Sequence, residues 1–136
     1  MKATQATKAT EATKPTKANI CRLALCAALQ ACSAQAYSHA FLDHARPAVG
    51  SAVHGSPAGV SLWFTAPLEP AFSTLRVMDA NGKQVDRKDK EIDRNNPAQI
   101  RVTLPPLPNG SYRVIWRVLS VDTHVTDGEF AFEITP

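Results

Sequence analysis

Hydrophobic and polar residues alternate along short runs throughout the chain after residue 40, and turn-forming residues separate these runs. Alternation with a period of two is typical of strands that bury one face. No stretch after residue 40 repeats its apolar residues with the helical period. The pattern therefore predicts an all-β protein, a Greek-key β-sandwich of about seven strands, including strands at residues 60–65, 73–79, 83–87, 99–104, 112–121 and 129–135.

The run at residues 112–121 is the longest predicted strand, and its side chains divide cleanly between two faces. We expect one face to lie in the core, with Trp116 as an anchor among Tyr112, Val114 and Val118. Trp63, on an earlier strand, is interpreted as a second core residue. The charged residues 87–96 are predicted to form a solvated loop.

The first 38 residues differ in composition from the remainder of the chain. An Ala/Thr/Lys-rich stretch precedes a short apolar segment with basic residues before it and small residues at its end, which is typical of a secretory signal. Cleavage after Ser38 would leave His39 as the first residue. Cleavage after Ala36, lipidation at Cys32 and an ordinary amphipathic helix are alternatives. The domains are thus predicted as a leader at 1–38 and a β-sandwich at 39–136.

The charge balance changes once the leader is set aside. Residues 39–136 carry ten Lys and Arg residues against eleven Asp and Glu residues, so the excess of positive charge lies in the leader. We therefore expect no nucleic-acid partner. The apolar segment of the leader is shorter than the roughly 20 residues that a membrane-spanning helix needs, and we expect no membrane span in the exported chain. All three cysteines lie in the leader, so the exported part has no disulfide.

The sequence Val-Asp-Thr-His at residues 121–124 ends the longest predicted strand. In an extended chain, residues two apart point to the same side, so Asp122 and His124 would present a carboxylate beside an imidazole. There is no four-residue Cys/His cluster for structural zinc, no nucleophile elbow and no glycine-rich phosphate loop. The alternative is an aspartate that hydrogen-bonds a turn beside an exposed histidine.

A cleaved N-terminus at His39 would add two more nitrogen ligands, the α-amine and the imidazole. Together with Asp122 and His124, these give three nitrogens and one carboxylate oxygen, a set that suits Cu(II). Cu(I) prefers thiolate or thioether ligands, and Met78 is the only methionine after the leader. The sequence thus predicts a Cu(II) site without a companion Cu(I) site.

Residues 39–136 resemble the CopC family of periplasmic copper-resistance proteins. The resemblance rests on His39-Ala40 after a small-residue cleavage site, on residues 63–85, and above all on residues 112–134 with their Ser-x-Asp-x-His pattern. It implies an Ig-like or cupredoxin-like sandwich, a Cu(II) site at His39, Asp122 and His124, no enzymatic activity, and a copper carrier beside an inner-membrane copper transporter. The Met-rich loop of some members is absent, and Ala66 stands where many members have an acidic residue.

Two other functions remain open on the sequence. A metal-free Ig-like interaction domain would use none of the three ligand residues. A copper histidine-brace oxidative enzyme would use His39, but such enzymes have a larger domain and an aromatic substrate face. We expect a monomer.

Overall fold

Two four-stranded sheets form the part of the protein that the computed structural model describes, residues 39–136. The predictions of a signal peptide, of cleavage at Ser38 and of lipidation at Cys32 lie outside or at the boundary of these residues. The strands are β1 (Leu42–Arg46), β2 (Ala52–His54), β3 (Gly59–Phe64), β4 (Thr74–Met78), β5 (Glu91–Ile92), β6 (Gln99–Thr103), β7 (Gly110–Leu119) and β8 (Val125–Thr135). A short 3-10 helix, Pro70–Phe72, precedes β4.

The first sheet has the strand order β1-β3-β6-β5, and the second has the order β2-β8-β7-β4. All pairings are antiparallel except that of β2 with β8. The predicted all-β sandwich is therefore confirmed, with eight strands where about seven were expected. No helix within residues 39–136 is long and apolar enough to cross a membrane.

The core lies between the two sheets and is built by the alternation of β3, β4, β6, β7 and β8. On β7, the predicted core face is buried throughout, and Trp116 packs against Phe64 and Phe130 at ring-centroid distances of 6.3 Å and 6.1 Å. Trp116 also pairs with Gly128 on β8, where a side chain would collide with the indole ring. The long β7–β8 pairing carries this register as far as Leu119 and Val125, which fixes where the connecting turn begins.

The prediction for Trp63 is wrong. Its neighbours Leu62 and Phe64 point into the core, so the strand alternation turns Trp63 to the outer face. There its ring stacks on His44 of β1, with centroids 4.4 Å apart and planes within 11°.

The predicted strand at residues 83–87 is also wrong. After the Asn81-Gly82 turn, the chain makes a single bridge between Met78 and Gln84. It then places the buried carboxylate of Asp86 against the β4 edge, where Oδ2 accepts the Val77 N–H at 2.8 Å. A side chain thus replaces the backbone partner that a returning strand would supply. The predicted loop at 87–96 is largely exposed, as expected, but it includes the two-residue strand β5.

Candidate metal site

The turn between β7 and β8 comprises residues 120–124 and carries two of the predicted ligands. It is closed by hydrogen bonds from the Ser120 N–H to the His124 carbonyl at 3.0 Å and from the Thr123 N–H to the Ser120 carbonyl at 2.9 Å. Thr123 has a φ of 71°, in the left-handed region. The expectation that Asp122 and His124 share one side of an extended strand is therefore wrong in its geometry.

The turn nevertheless brings the two side chains together. His124 Nδ1 lies 3.3 Å from Asp122 Oδ2. The reason is that β7 ends at Leu119 and the chain must reverse within five residues to enter β8, so residues two apart converge through a tight turn.

The carboxylate of Asp122 is held on one oxygen and left open on the other. The buried Ser120 hydroxyl donates a short hydrogen bond to Oδ1, and the His124 N–H donates a longer one at 3.4 Å. The Ser120 hydrogen bond, followed by the His124 N–H and the charge of its ring, lowers the pKa of Asp122 against the opposing effect of desolvation. Within residues 39–136, Oδ2 is buried and lies 3.3 Å from His124 Nδ1, but it accepts no well-aligned hydrogen bond. An ionised oxygen of this kind suits a cation.

His39 reaches this turn because the two residues at the start of the described chain are fastened to both sheets. The Thr65 hydroxyl, just after β3, donates to the His39 carbonyl at 2.9 Å. The Thr126 hydroxyl, on β8, donates to the carbonyl of the fully buried Ala40 at 2.6 Å. The imidazole of His39 then meets that of His124 edge to face, with ring centroids 4.0 Å apart.

His39, Asp122 and His124 together offer three ligand atoms that lie within 4.8 Å of one another. Ligands that share one metal ion through bonds of about 2 Å lie no more than about 4 Å apart. The two imidazoles belong to exposed residues, so their rotation, rather than movement of the hydrogen-bonded carboxylate, would have to close that difference. The chemistry of the set, nitrogen and oxygen without sulfur, matches Cu(II) better than Cu(I).

The other two histidines within residues 39–136, His44 and His54, lie on the surface. His44 Nδ1 is 2.8 Å from Asp43 Oδ2 on the outer face of β1, and His54 Nδ1 is 2.9 Å from the Pro136 carbonyl oxygen. Neither belongs to the three-ligand cluster at His39, Asp122 and His124.

The sequence reasoning missed three hydroxyl residues that position the ligands, Ser120, Thr65 and Thr126. Ser120 had a usable signal, because it continues the inward-facing series of β7, where a polar residue is unexpected. Thr65 and Thr126 had none, since their partners lie 26 and 86 residues away in the chain.

Comparison of the sequence with known proteins identifies a family and several relatives. The family model described as the CopC domain matches residues 42–135. The copper transport protein CutJ of Bacillus subtilis is 32% identical over 99 residues, which cover 72% of this chain and 18% of CutJ. Protein YobA of Escherichia coli is 31% identical over 101 residues, which cover 72% of this chain and 80% of YobA. The chain thus spans most of YobA but less than a fifth of CutJ.

Solved structures agree with these sequence matches. CopC from Methylosinus trichosporium OB3b is similar with a TM-score of 0.68 and 36% identity, covering 72% of this chain and 95% of that one. PcoC, a methionine-rich copper resistance protein from Escherichia coli, has a TM-score of 0.62 and 28% identity, covering 72% of this chain and all of that one. Because the family model matches well over half of its residues, this chain belongs to the CopC family.

Proposed function

We propose that the protein binds one Cu(II) ion through the α-amine and imidazole of a processed His39 together with Asp122 and His124. The observation that carries this proposal is the convergence of the three side chains, one of which contributes a buried carboxylate oxygen, Asp122 Oδ2. A positive ion there would stabilise an ionised oxygen that has been removed from water and that has only the His124 imidazole beside it, at 3.3 Å.

The choice of Cu(II) follows from the ligand types. Imidazole, amine and carboxylate donors favour Cu(II), and Cu(I) would need thioether or thiolate sulfur. Met78 supplies the only sulfur atom within residues 39–136. It pairs with Arg113 near the start of β7, whereas Asp122 follows the end of that strand. This separation supports a site without methionine.

Family membership identifies a copper-handling protein rather than an enzyme. The finer role that we propose is a monomeric periplasmic carrier or buffer in copper resistance and homeostasis, which exchanges copper with an inner-membrane transporter. CutJ is named a copper transport protein, and a region similar to this chain makes up 18% of it. That arrangement supports a function beside a transporter.

Single alanine variants of His39, Asp122 and His124 test the ligand assignment. Each is expected to lower the Cu(II) affinity strongly in competition with a chelator and to change the electron paramagnetic resonance spectrum. His44→Ala and His54→Ala are matched controls, because both remove a surface histidine outside the cluster, and they should leave affinity and spectrum unchanged. Retention of both properties by all three ligand variants would place the copper site elsewhere.

The contribution of the α-amine needs a separate test. Protein that begins at His39 is compared with protein that carries one additional alanine before it, which moves the amine but keeps all three side chains. We expect weaker Cu(II) binding and a changed nitrogen hyperfine pattern with the extra alanine, because one of the three proposed nitrogen ligands is moved while both imidazoles remain. Intact mass of the periplasmic protein from copper-supplemented cells should give a chain starting at His39 with one copper. A chain starting at Tyr37 or at a lipidated Cys32 would exclude the amine as a ligand.

A further inference from the structure

Strand β4 forms the outer edge of the second sheet, and a groove of about 540 Å³ runs beside it. The loop that follows β4 covers only part of this edge. The groove is lined by backbone and side chains of residues 73–76 on one side and by Gln84, Lys88 and Lys90 on the other.

The hydrogen bonds of Val77 reveal which backbone groups of β4 face the groove. Its N–H donates to Asp86 Oδ2 and its carbonyl accepts the Val85 N–H, both at 2.8 Å and both on the outer side. Val77 and Val114 are therefore a non-hydrogen-bonded pair of the ladder. In an antiparallel sheet such pairs recur every second residue, so Leu75 also directs its N–H and carbonyl outward.

Within residues 39–136, neither outward-facing group of Leu75 has a hydrogen-bond partner among the loops and side chains. The outward-facing positions two residues before and two residues after Leu75 already form hydrogen bonds. Val77 is satisfied by the loop, and the Ser73 carbonyl accepts a hydrogen bond from Lys90 Nζ at 2.9 Å. Leu75 thus offers one donor and one acceptor, spaced as a neighbouring strand requires.

The groove is also positively charged. Arg76 and Lys88 are exposed along it, and Lys90 Nζ is fixed between the carbonyls of Pro70 and Ser73. The carboxylate beside them, Asp86, is buried and accepts hydrogen bonds from the backbone N–H groups of Val77 and Lys88 and from the side chain of Gln84. The three cations outnumber this one carboxylate, so the groove surface has a net positive charge.

We propose that this groove binds an extended acidic segment of a partner protein, which pairs with the β4 edge through the one backbone donor and one backbone acceptor of Leu75. A polypeptide backbone is the ligand that matches the donor and acceptor of Leu75, and acidic side chains match Arg76 and Lys88. A second copy of this chain is disfavoured, because pairing β4 with β4 would bring the same cations together. The surface is separate from the copper site and does not require copper.

The test measures binding of a synthetic peptide of alternating glutamate and threonine residues to the protein purified from the cells that produce it. Fluorescence anisotropy should detect binding that an equivalent lysine–threonine peptide does not show. Arg76→Glu combined with Lys88→Glu should weaken binding about tenfold, since each exposed ion pair contributes a factor of up to about five. The matched control is Arg46→Glu combined with Arg94→Glu, which makes the same change of charge away from the groove and should have little effect.

The backbone contact is tested independently of charge. N-methylation of alternate peptide residues removes donors but keeps every carboxylate, and in one of the two registers it should abolish binding. In nuclear magnetic resonance spectra, the amide of Leu75 should shift and become protected from exchange on addition of the unmodified peptide. Equal binding of both methylated registers, an unchanged Leu75 amide, or equal losses in the groove and control variants would overturn the proposal. So would binding of phosphatidylglycerol vesicles but not of the peptide.

Discussion

Replacement of Ser120 by alanine tests how the carboxylate of the proposed copper site is held. The hydroxyl is fully buried, donates to Asp122 Oδ1 and lies 3.1 Å from the His124 carbonyl oxygen. The substitution removes one oxygen atom and introduces no clash. The backbone hydrogen bonds of the turn remain, because they use the Ser120 N–H and carbonyl rather than its side chain.

We expect Ser120→Ala to lower the Cu(II) affinity by about 10- to 100-fold, the usual effect of removing a residue that orients a metal ligand. Without the hydroxyl, Asp122 Oδ1 keeps only the 3.4 Å contact with the His124 N–H, so the carboxylate can rotate away from the two imidazoles. The assay is a competition titration with a Cu(II) chelator of known affinity, with the folded state checked by near-ultraviolet circular dichroism.

Ser73→Ala is the matched control. Ser73 is equally buried, and its hydroxyl oxygen accepts the Leu119 N–H at 3.2 Å without contacting a proposed ligand. It should lower the free energy of unfolding by about 1 kcal/mol, the usual value for a lost hydrogen bond, and leave the Cu(II) affinity unchanged. If Ser120→Ala binds Cu(II) within about twofold of the parent protein while Asp122→Ala does not bind it, the hydroxyl has no orienting role and the reasoning fails.

Three further outcomes are expected. Gly128→Ala would place a Cβ against Trp116 Cζ2, closer than a carbon–carbon contact allows. The free energy of unfolding should therefore fall by about 1–3 kcal/mol in urea titrations, whereas in a Trp116→Leu background the same change should cost little. The Thr103 hydroxyl and N–H hydrogen bonds lower the pKa of Asp89. Their stabilising effect is therefore present above the ordinary pKa of 3.8 and lost as the pH falls below it. Urea midpoints of Asp89→Asn should lie below those of the parent at pH 7 and converge with them in acid; a constant difference would contradict this assignment. Cu(II) at about 100 times its dissociation constant should stabilise the parent by about 2.7 kcal/mol, and a chelator, or Asp122→Ala, should abolish this gain in thermal unfolding.

The strands that could be predicted are those whose burial is one-sided. β7 and the second half of β8 have a buried residue at every second position, because one face packs on the core and the other meets solvent. β1 and β2 are short edge strands of mixed composition, so no alternation marked them. Trp63 shows that a large apolar side chain does not by itself predict a core position. The alternation of β3 decides its direction, and the aromatic ring then packs on the outer face.

The structure brings together the three residues that the sequence predicted as ligands, but the local geometry predicted for two of them is wrong. Asp122 and His124 were assigned to an extended strand, but a turn with a left-handed Thr123 brings them together. The sequence alone could not distinguish an extended strand from a turn at these residues. The residue at which β7 ends depends on the register of β7 with β8 rather than on local composition. His39 could be proposed as a ligand only on the expectation that the chain is cleaved before it. Its position depends on Thr65 and Thr126, which lie far away in sequence.

The proposed ligands come from two parts of the sandwich, and this has a consequence for copper exchange. Asp122 is 7% exposed at its side chain and held by Ser120, whereas His124 is 53% exposed, and His39 is exposed at the start of the described chain. A metal ion bound by all three residues would connect the segment that precedes β1 of the first sheet to the β7–β8 turn of the second sheet. Because the carboxylate is fixed and the imidazoles face solvent, a competing ligand can displace the histidines one at a time while Asp122 retains the ion. A carrier that passes copper on by ligand exchange would use this order of release. An exchange rate that rises with the concentration of added imidazole would demonstrate it, whereas a rate independent of imidazole would show that opening of the protein limits release instead.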